Sequence, residues 1–123
     1  MLAKDTKIIV RNRVFTPIQD IKNGDVVITK FDNEVITDVK SSIKNAFKFI
    51  FSDGYKVIVS ESLYFLLPTQ EWKCVTELNE GDFVYKPDNT YAKIVDITPL
   101  GKIEVYGFNS KNGVYLINGM YIR

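Results

Sequence analysis

The chain has 123 residues, of which 46% are hydrophobic and 25% are charged, and its formal net charge is +1. This composition is typical of a soluble globular protein that buries its core in one domain, residues 1–123. Because the net charge is close to zero, the chain lacks the excess of basic residues that would indicate binding to nucleic acid or to a membrane surface. The apolar runs are too short to span a bilayer, and the N-terminus lacks a signal-peptide pattern.

Two residue types that carry much of enzyme chemistry are scarce. The chain has no histidine and one cysteine, Cys74. Catalytic sets of the Ser-His-Asp or Cys-His kind are therefore excluded, and zinc sites built from His and Cys are excluded as well. We expect no metal site. A lone cysteine cannot form an internal disulfide, which favours a reducing compartment and predicts a cytoplasmic location.

The first half of the chain reads as short strands separated by turns. Predicted strands cover Lys7–Arg11, Val14–Phe15, Val26–Thr29, Glu34–Ser42 and Ala46–Phe51. In the last of these, three phenylalanines alternate and share one side of the strand. Turns are predicted at Asn12-Arg13, at Phe31-Asp32-Asn33-Glu34 and at Ser52-Asp53-Gly54, the last as a hairpin.

The second half continues the same pattern. Predicted strands cover Tyr55–Val59, Tyr64–Leu67, Phe83–Tyr85, Tyr91–Thr98, Lys102–Asn109, Val114–Ile117 and Met120–Ile122. Pro99-Leu100-Gly101 is predicted to join two separate strands, Lys111-Asn112-Gly113 to turn the chain, and Asn118-Gly119 to form a hairpin. About ten short strands with frequent turn signals predict an all-β fold.

One stretch occurs twice. Ile18–Val27 and Val75–Val84 share aliphatic, acidic and Gly-Asp positions at an offset of 57 residues (75 − 18). Each copy predicts a short helical turn, a tight turn at Gly24 or Gly81, and then a strand. Thr16-Pro17 predicts an N-cap followed by the first helical position of the first copy. Two copies suit a domain with internal pseudo-twofold symmetry.

These motifs resemble those of the Hint family, the fold shared by inteins and Hedgehog autoprocessing domains. Thr16–Val27 is similar to the family pattern T-P-I-E-D-I-x-x-G-D-x-V. Trp72–Asp82 is similar to W-x-x-A-x-x-L-x-x-G-D, and Val114–Arg123 is similar to F-x-x-N-G-I-x-x-H-N. The three stretches stand in the family order and span the whole chain. The resemblance implies an all-β, horseshoe-like Hint fold with pseudo-twofold symmetry.

The resemblance also implies protein splicing without a cofactor. In the family, a Cys or Ser at residue 1 attacks the preceding carbonyl, the downstream extein accepts the chain, and a terminal Asn cyclises. Such a domain acts once, on itself, and is not a multiple-turnover enzyme. The implied partners are flanking extein segments in cis or a complementary split-intein fragment, with no nucleic acid, no membrane and a monomeric state. Breaks in the Arg11–Thr16 turn or the Lys86–Thr90 loop would create such fragments.

The chain departs from the family at the positions that do the chemistry. Met1 occupies the nucleophile position, and a thioether has no proton to lose. Arg123 aligns with the penultimate His, so the terminal Asn is missing. In the T-x-x-H turn, Ser60 replaces Thr and Leu63 replaces the His. Gly107 stands where the family has an acidic residue. The resemblance therefore implies that the chain as written neither splices nor cleaves.

We interpret the chain as a phage-type atypical mini-intein, or a fused split intein, with both terminal catalytic residues absent. Two alternatives stay open: a degenerate Hint domain without chemistry, and an all-β module that binds a peptide or protein. The other candidates receive structural roles: a core position for Cys74 and Trp72, turn bracing for Asp25 and Asp82, and a solvated face for Lys40, Lys44 and Lys48.

Overall fold

The computed structural model describes residues 1–11, 14–28, 33–86, 88–117 and 120–123. Within them the chain forms antiparallel β-strands and two short 3-10 turns, Ile18–Asp20 and Val75–Glu77. The strands are β1 Leu2–Ala3, β2 Lys7–Val10, β3 Val14–Pro17, β4 Val26–Ile28, β5 Asn33–Val35, β6 Thr37–Phe51, β7 Lys56–Ser60, β8 Tyr64–Leu66, β9 Trp72–Cys74, β10 Phe83–Tyr85, β11 Tyr91–Asn109, β12 Tyr115–Ile117 and β13 Met120–Ile122. The predicted all-β class is confirmed. No helix in these ranges is long and apolar enough to cross a membrane.

The described strands form three sheets. The largest has the order β1-β7-β6-β11-β10, and β1 also pairs with β11. The other two have the orders β12-β13-β8-β9 and β3-β2-β4-β5. The two longest strands, β6 with 15 residues and β11 with 19, pair from Thr37↔Asn109 to Phe51↔Ile94. β1 pairs with both β7 and β11, which places the first residues of the chain in this sheet.

The prediction of two strands on either side of Pro99-Leu100-Gly101 is wrong, because β11 runs through this segment without a break. Pro99 pairs with Phe47 and Gly101 pairs with Ala46, so Leu100 is an extra residue opposite a continuous partner strand. Gly101 has a φ of 71°. A bulge with glycine in this conformation absorbs one residue without ending the ladder. The predicted gap between Ser42 and Ala46 is likewise absent, since β6 is continuous.

Several predicted turns are corrected or lie outside the described residues. Thr16 is not an N-cap: it lies in β3, and the residue before the first 3-10 turn is Pro17, with no capping side chain. The Ile18 N–H instead donates to the Thr6 carbonyl at 2.8 Å. Asn33 and Glu34 belong to β5 rather than to a turn. The predictions at Asn12-Arg13, Thr29, Phe31-Asp32 and Asn118-Gly119 fall outside the described residues.

The repeated stretch folds the same way twice. Gly24 and Gly81 have φ angles of 91° and 95°. The carboxylate of Asp25 accepts from the Lys22 N–H at 2.9 Å, and the carboxylate of Asp82 accepts from the Asn79 N–H at 2.9 Å. Each aspartate thus braces its turn locally, as predicted.

The symmetry extends to the segments that precede each 3-10 turn. The Thr6 carbonyl accepts from the Ile18 N–H at 2.8 Å, and the Leu63 carbonyl accepts from the Val75 N–H at 2.9 Å. Thr6 and Leu63 are also separated by 57 residues (63 − 6). The turn that begins at Ser60 is therefore the second copy of the turn that begins at Ala3.

The core lies between the sheets and is centred on three aromatic rings. Phe49 and Phe51 pack edge-on against Phe65, with ring centroids 5.2 Å and 5.8 Å apart. Phe47, the third residue of the predicted phenylalanine stripe, is half-buried against the same core. Cys74 is half-buried rather than in the core, and its Sγ lies 3.4 Å from the Glu61 carbonyl oxygen.

Candidate active site

The turn from Ser60 to Tyr64, between β7 and β8, holds both ends of the chain. The Ser60 N–H donates to the Met1 carbonyl at 2.9 Å. Tyr64 exchanges two backbone hydrogen bonds with Arg123, at 2.7 Å and 2.8 Å. The first and last residues therefore meet at positions only four residues apart along the chain.

The nitrogen of Met1 faces the Ser60 hydroxyl. The Met1 amine donates to Ser60 Oγ at 3.0 Å, and Ser60 is fully buried. Burial and, to a smaller extent, the positive charge of Lys44 lower the pKa of this amine from its usual value of 8.0 to about 5. The surroundings of this nitrogen thus disfavour positive charge. Lys44 is half-buried, so it is not the fully solvated side chain that the sequence suggested.

Gly107 lies beside the Met1 side chain. A Cβ added at Gly107 would stand 2.9 Å from Met1 Cγ and 3.4 Å from the Tyr115 hydroxyl oxygen. The position where the sequence resemblance implied an acidic residue therefore adjoins the γ position of residue 1. The Tyr115 hydroxyl itself is buried and donates to the Phe108 carbonyl at 3.3 Å, and burial raises the pKa of this phenol.

Leu63 completes the turn but faces the interior. Its N–H donates to the Ser60 carbonyl at 3.2 Å, and its side chain is buried in the core. An aliphatic side chain cannot donate or accept a proton. Leu63 therefore lies in the turn at the position where the resemblance implied a histidine. Its aliphatic side chain cannot take over the proton transfer that a histidine would perform.

Arg123 lies on the outer side of the same turn. Its guanidinium is 5.7 Å from the centre of the Trp72 ring, within the range of a cation–π contact. Trp72 is half-buried and packs against a second, smaller apolar cluster. A hollow of about 330 Å³ opens here, lined by Ser62, Leu63, Tyr64, Trp72 and Arg123.

The structure brings all four predicted site residues to one turn. Met1 contacts Ser60 directly, whereas Leu63 and Arg123 share the neighbouring hollow. Sequence reasoning missed two groups that also lie here, Lys44 and Ser62. The Ser62 hydroxyl is 3.3 Å from Ser60 Oγ, and its position two residues after Ser60 was the available signal.

The duplicated halves and the adjacent chain ends agree with the Hint fold that the sequence motifs implied. Comparison with solved structures supports the same fold. The gp41-1 intein is 24% identical, with a TM-score of 0.85 over 98% of this chain and 94% of that one. The Ssp DnaB mini-intein variant M86 is 17% identical, with a TM-score of 0.86 over 99% and 92%. A DnaB intein from Synechocystis sp. PCC 6803 is 17% identical, with a TM-score of 0.86 over 99% and 96%.

The match extends over nearly the full length of both chains in each comparison. No family model matches the sequence, and no curated protein sequence matches it either. At these identities the likeness shows the fold alone. The chain therefore has the intein form of the Hint fold, which confirms the fold implied by the sequence motifs.

Proposed function

We propose that this chain is a protein-splicing domain, which excises itself and joins the segments on either side of it. The observation that carries the proposal is that Met1 and Arg123 are both hydrogen-bonded to the turn from Ser60 to Tyr64. Splicing requires that the two peptide bonds to be broken lie side by side, because the upstream segment must pass to the downstream one. Holding both reacting ends in one place converts a bimolecular transfer into an intramolecular one.

At the N-terminal junction, residue 1 supplies the nucleophile. A Cys or Ser at this position would place its γ atom where Met1 Cγ lies, beside Gly107. The γ atom attacks the carbonyl carbon of the preceding residue, and the nitrogen of residue 1 departs with one added proton. Met1 has no such proton to lose, so the chain as written cannot take this step.

Ser60 is the group that touches the departing nitrogen. Its hydroxyl lies 3.0 Å from the nitrogen of Met1, within hydrogen-bond reach. The desolvation that lowers the pKa of the free Met1 amine also strengthens each hydrogen bond in the site. We assign Ser60 the role of orienting this nitrogen. Leu63 contributes shape and exclusion of water rather than proton transfer.

At the C-terminal junction, Arg123 would precede the Asn that cyclises. The two backbone hydrogen bonds to Tyr64 fix the direction in which the chain leaves the domain. The guanidinium lies over the Trp72 ring, 5.7 Å from its centre, and carries a positive charge. The family has a proton donor at this position. Arg123 would instead present a positive charge to the carbonyl group that follows it.

The proposed partners are the flanking segments in cis. A complementary fragment is a second arrangement, produced by a break in the Lys86–Thr90 loop. In that loop the Lys86 N–H donates to the Thr90 carbonyl at 2.9 Å, so the two sides of the break stay close. The β6–β11 pairing then joins the fragments by a long antiparallel ladder.

The test restores both ends. The chain with Met1→Cys, an Asn and a Cys added after Arg123, and a reporter protein at each side is expected to give ligated reporters on a denaturing gel. The matched control carries Met1→Ala with the same additions and should give no ligation. A folded precursor that stays intact with both ends restored would refute splicing and favour a degenerate or binding domain.

A further inference from the structure

Ser62 is next to the site but has no role in the steps above. Its hydroxyl oxygen lies 3.3 Å from Ser60 Oγ. Ser60 is fully buried, whereas Ser62 is exposed and lines the hollow beside Arg123. The two hydroxyls therefore connect a buried point at the nitrogen of residue 1 with the solvent in that hollow.

The Ser60 hydroxyl can bond the nitrogen of residue 1 and the Ser62 hydroxyl at the same time. The nitrogen of Met1 donates to Ser60 Oγ at 3.0 Å, so one lone pair of that oxygen is occupied. The second lone pair and the proton of Ser60 remain for Ser62, and either hydroxyl of this pair can be the donor. Ser62 is exposed, so its hydroxyl is accessible to solvent.

Two other polar side chains near the turn are engaged elsewhere. The Cys74 Sγ bonds the Glu61 carbonyl and the Thr76 hydroxyl. The Tyr115 hydroxyl bonds the Phe108 carbonyl. Leu63 has no polar atom on its side chain.

We propose that Ser62 is a positioning residue that completes a two-hydroxyl proton relay, from solvent through Ser60 to the nitrogen of residue 1. This inference rests on the proposed splicing function and assigns a route for the proton that its first step needs.

Formation of the (thio)ester requires one added proton at the departing nitrogen. The γ atom of a Cys or Ser at residue 1 gives up its proton to solvent and forms a bond to the upstream carbonyl carbon. The bond between that carbon and the nitrogen breaks. The nitrogen takes the proton of Ser60, Ser60 takes the proton of Ser62, and Ser62 takes one from water. Both serines end as hydroxyls, so neither has to hold a charge in the buried site.

The first experiment measures the formation of the (thio)ester. In a precursor with Met1→Cys and an upstream reporter, the rate of cleavage by hydroxylamine is measured in H₂O and in D₂O. We expect Ser62→Ala to slow cleavage by about 10- to 100-fold and to change the solvent isotope effect. Ser62→Thr keeps a hydroxyl and should restore both. Ser41→Ala, which removes an exposed hydroxyl on β6, is the matched control and should change neither.

A second measurement needs no splicing. In the chain that begins with Met1, ¹⁵N NMR follows the titration of the α-amine. Ser62 is the hydroxyl partner of Ser60 whether Ser60 accepts from the charged amine or donates to the neutral one. Ser62→Ala should therefore shift the pKa of the Met1 amine by about half a unit or more, and Ser62→Thr should leave it in place.

The outcomes separate the two proposals. Cleavage that proceeds in the parent precursor and is indifferent to Ser62→Ala would overturn the relay and leave splicing standing. Absence of cleavage in a folded precursor would overturn the splicing function and the relay with it. A slowed Ser62→Ala variant that Ser62→Thr rescues, together with the shifted amine titration, would establish the relay.

Discussion

The Met1 amine should make the stability of this protein depend on pH in a range where little else titrates. The amine is held against Ser60 Oγ at 3.0 Å, and burial lowers its pKa from 8.0 to about 5. The unfolded chain therefore binds more protons at this nitrogen than the folded chain between these two values. Stability is lost as pH falls through this range and is regained as pH rises toward 8.

The size of the effect follows from the two pKa values. Linkage of a group with pKa values of 8.0 and about 5 removes about 2 kcal/mol from the free energy of unfolding between about pH 8 and about pH 6. The chain has no histidine, whose titration would otherwise overlap with this range. The profile therefore reports on one group.

The assay is urea unfolding, followed by tryptophan fluorescence, at several pH values. We expect the midpoint to fall by about 1 M urea between about pH 8 and about pH 6. The same chain acetylated at Met1 keeps an N–H for Ser60 but has no amine to titrate, so its midpoint should change little. Lys44→Gln should weaken the dependence in the free-amine chain. Parallel profiles for the free and acetylated chains would refute the buried position of this nitrogen.

Three further predictions test the packing around the site. Phe49→Ala should lower the free energy of unfolding by about 3–5 kcal/mol, because the ring is fully buried, and a loss below about 1 kcal/mol in urea unfolding would contradict its central place. Gly107→Ala should cost about 1–3 kcal/mol, since its Cβ would lie 2.9 Å from Met1 Cγ; adding Met1→Ala should remove most of this cost in a double-mutant cycle, and simple additivity would argue against the contact. Glu34→Gln should speed amide hydrogen exchange at Asn112, whose N–H donates to the buried Glu34 carboxylate at 3.0 Å, and unchanged exchange would exclude this link.

Local sequence patterns were sufficient to predict the features that depend on a few neighbouring residues. The Gly-Asp turns were readable because a positive φ at Gly24 and Gly81, and a carboxylate that bonds a nearby N–H, are requirements of a few consecutive residues. Alternation and turn residues likewise predicted the Ser52-Asp53-Gly54 hairpin, in which the Gly54 N–H donates to the Phe51 carbonyl at 2.9 Å. The all-β class and the duplication follow from these local patterns.

The lengths of the strands depend on their pairing in the folded protein and could not be predicted from local patterns. Pro99-Leu100-Gly101 carries local turn signals, but pairing with β6 on both sides keeps β11 in register and turns the segment into a bulge. The predicted N-cap at Thr16 failed for the same reason. The Ile18 N–H donates to the Thr6 carbonyl, which is distant in sequence, and no side chain caps the 3-10 turn.

The composition of the site also came from the tertiary structure. Motif positions located Ser60, but nothing in the local sequence placed its hydroxyl at the nitrogen of a residue 59 positions away. Lys44 and Gly107 reach residue 1 from β6 and β11, which are adjacent only because the long ribbon pairs them. Distances of this kind are set by strand register over the whole sheet, and register is a property of paired strands rather than of any one segment.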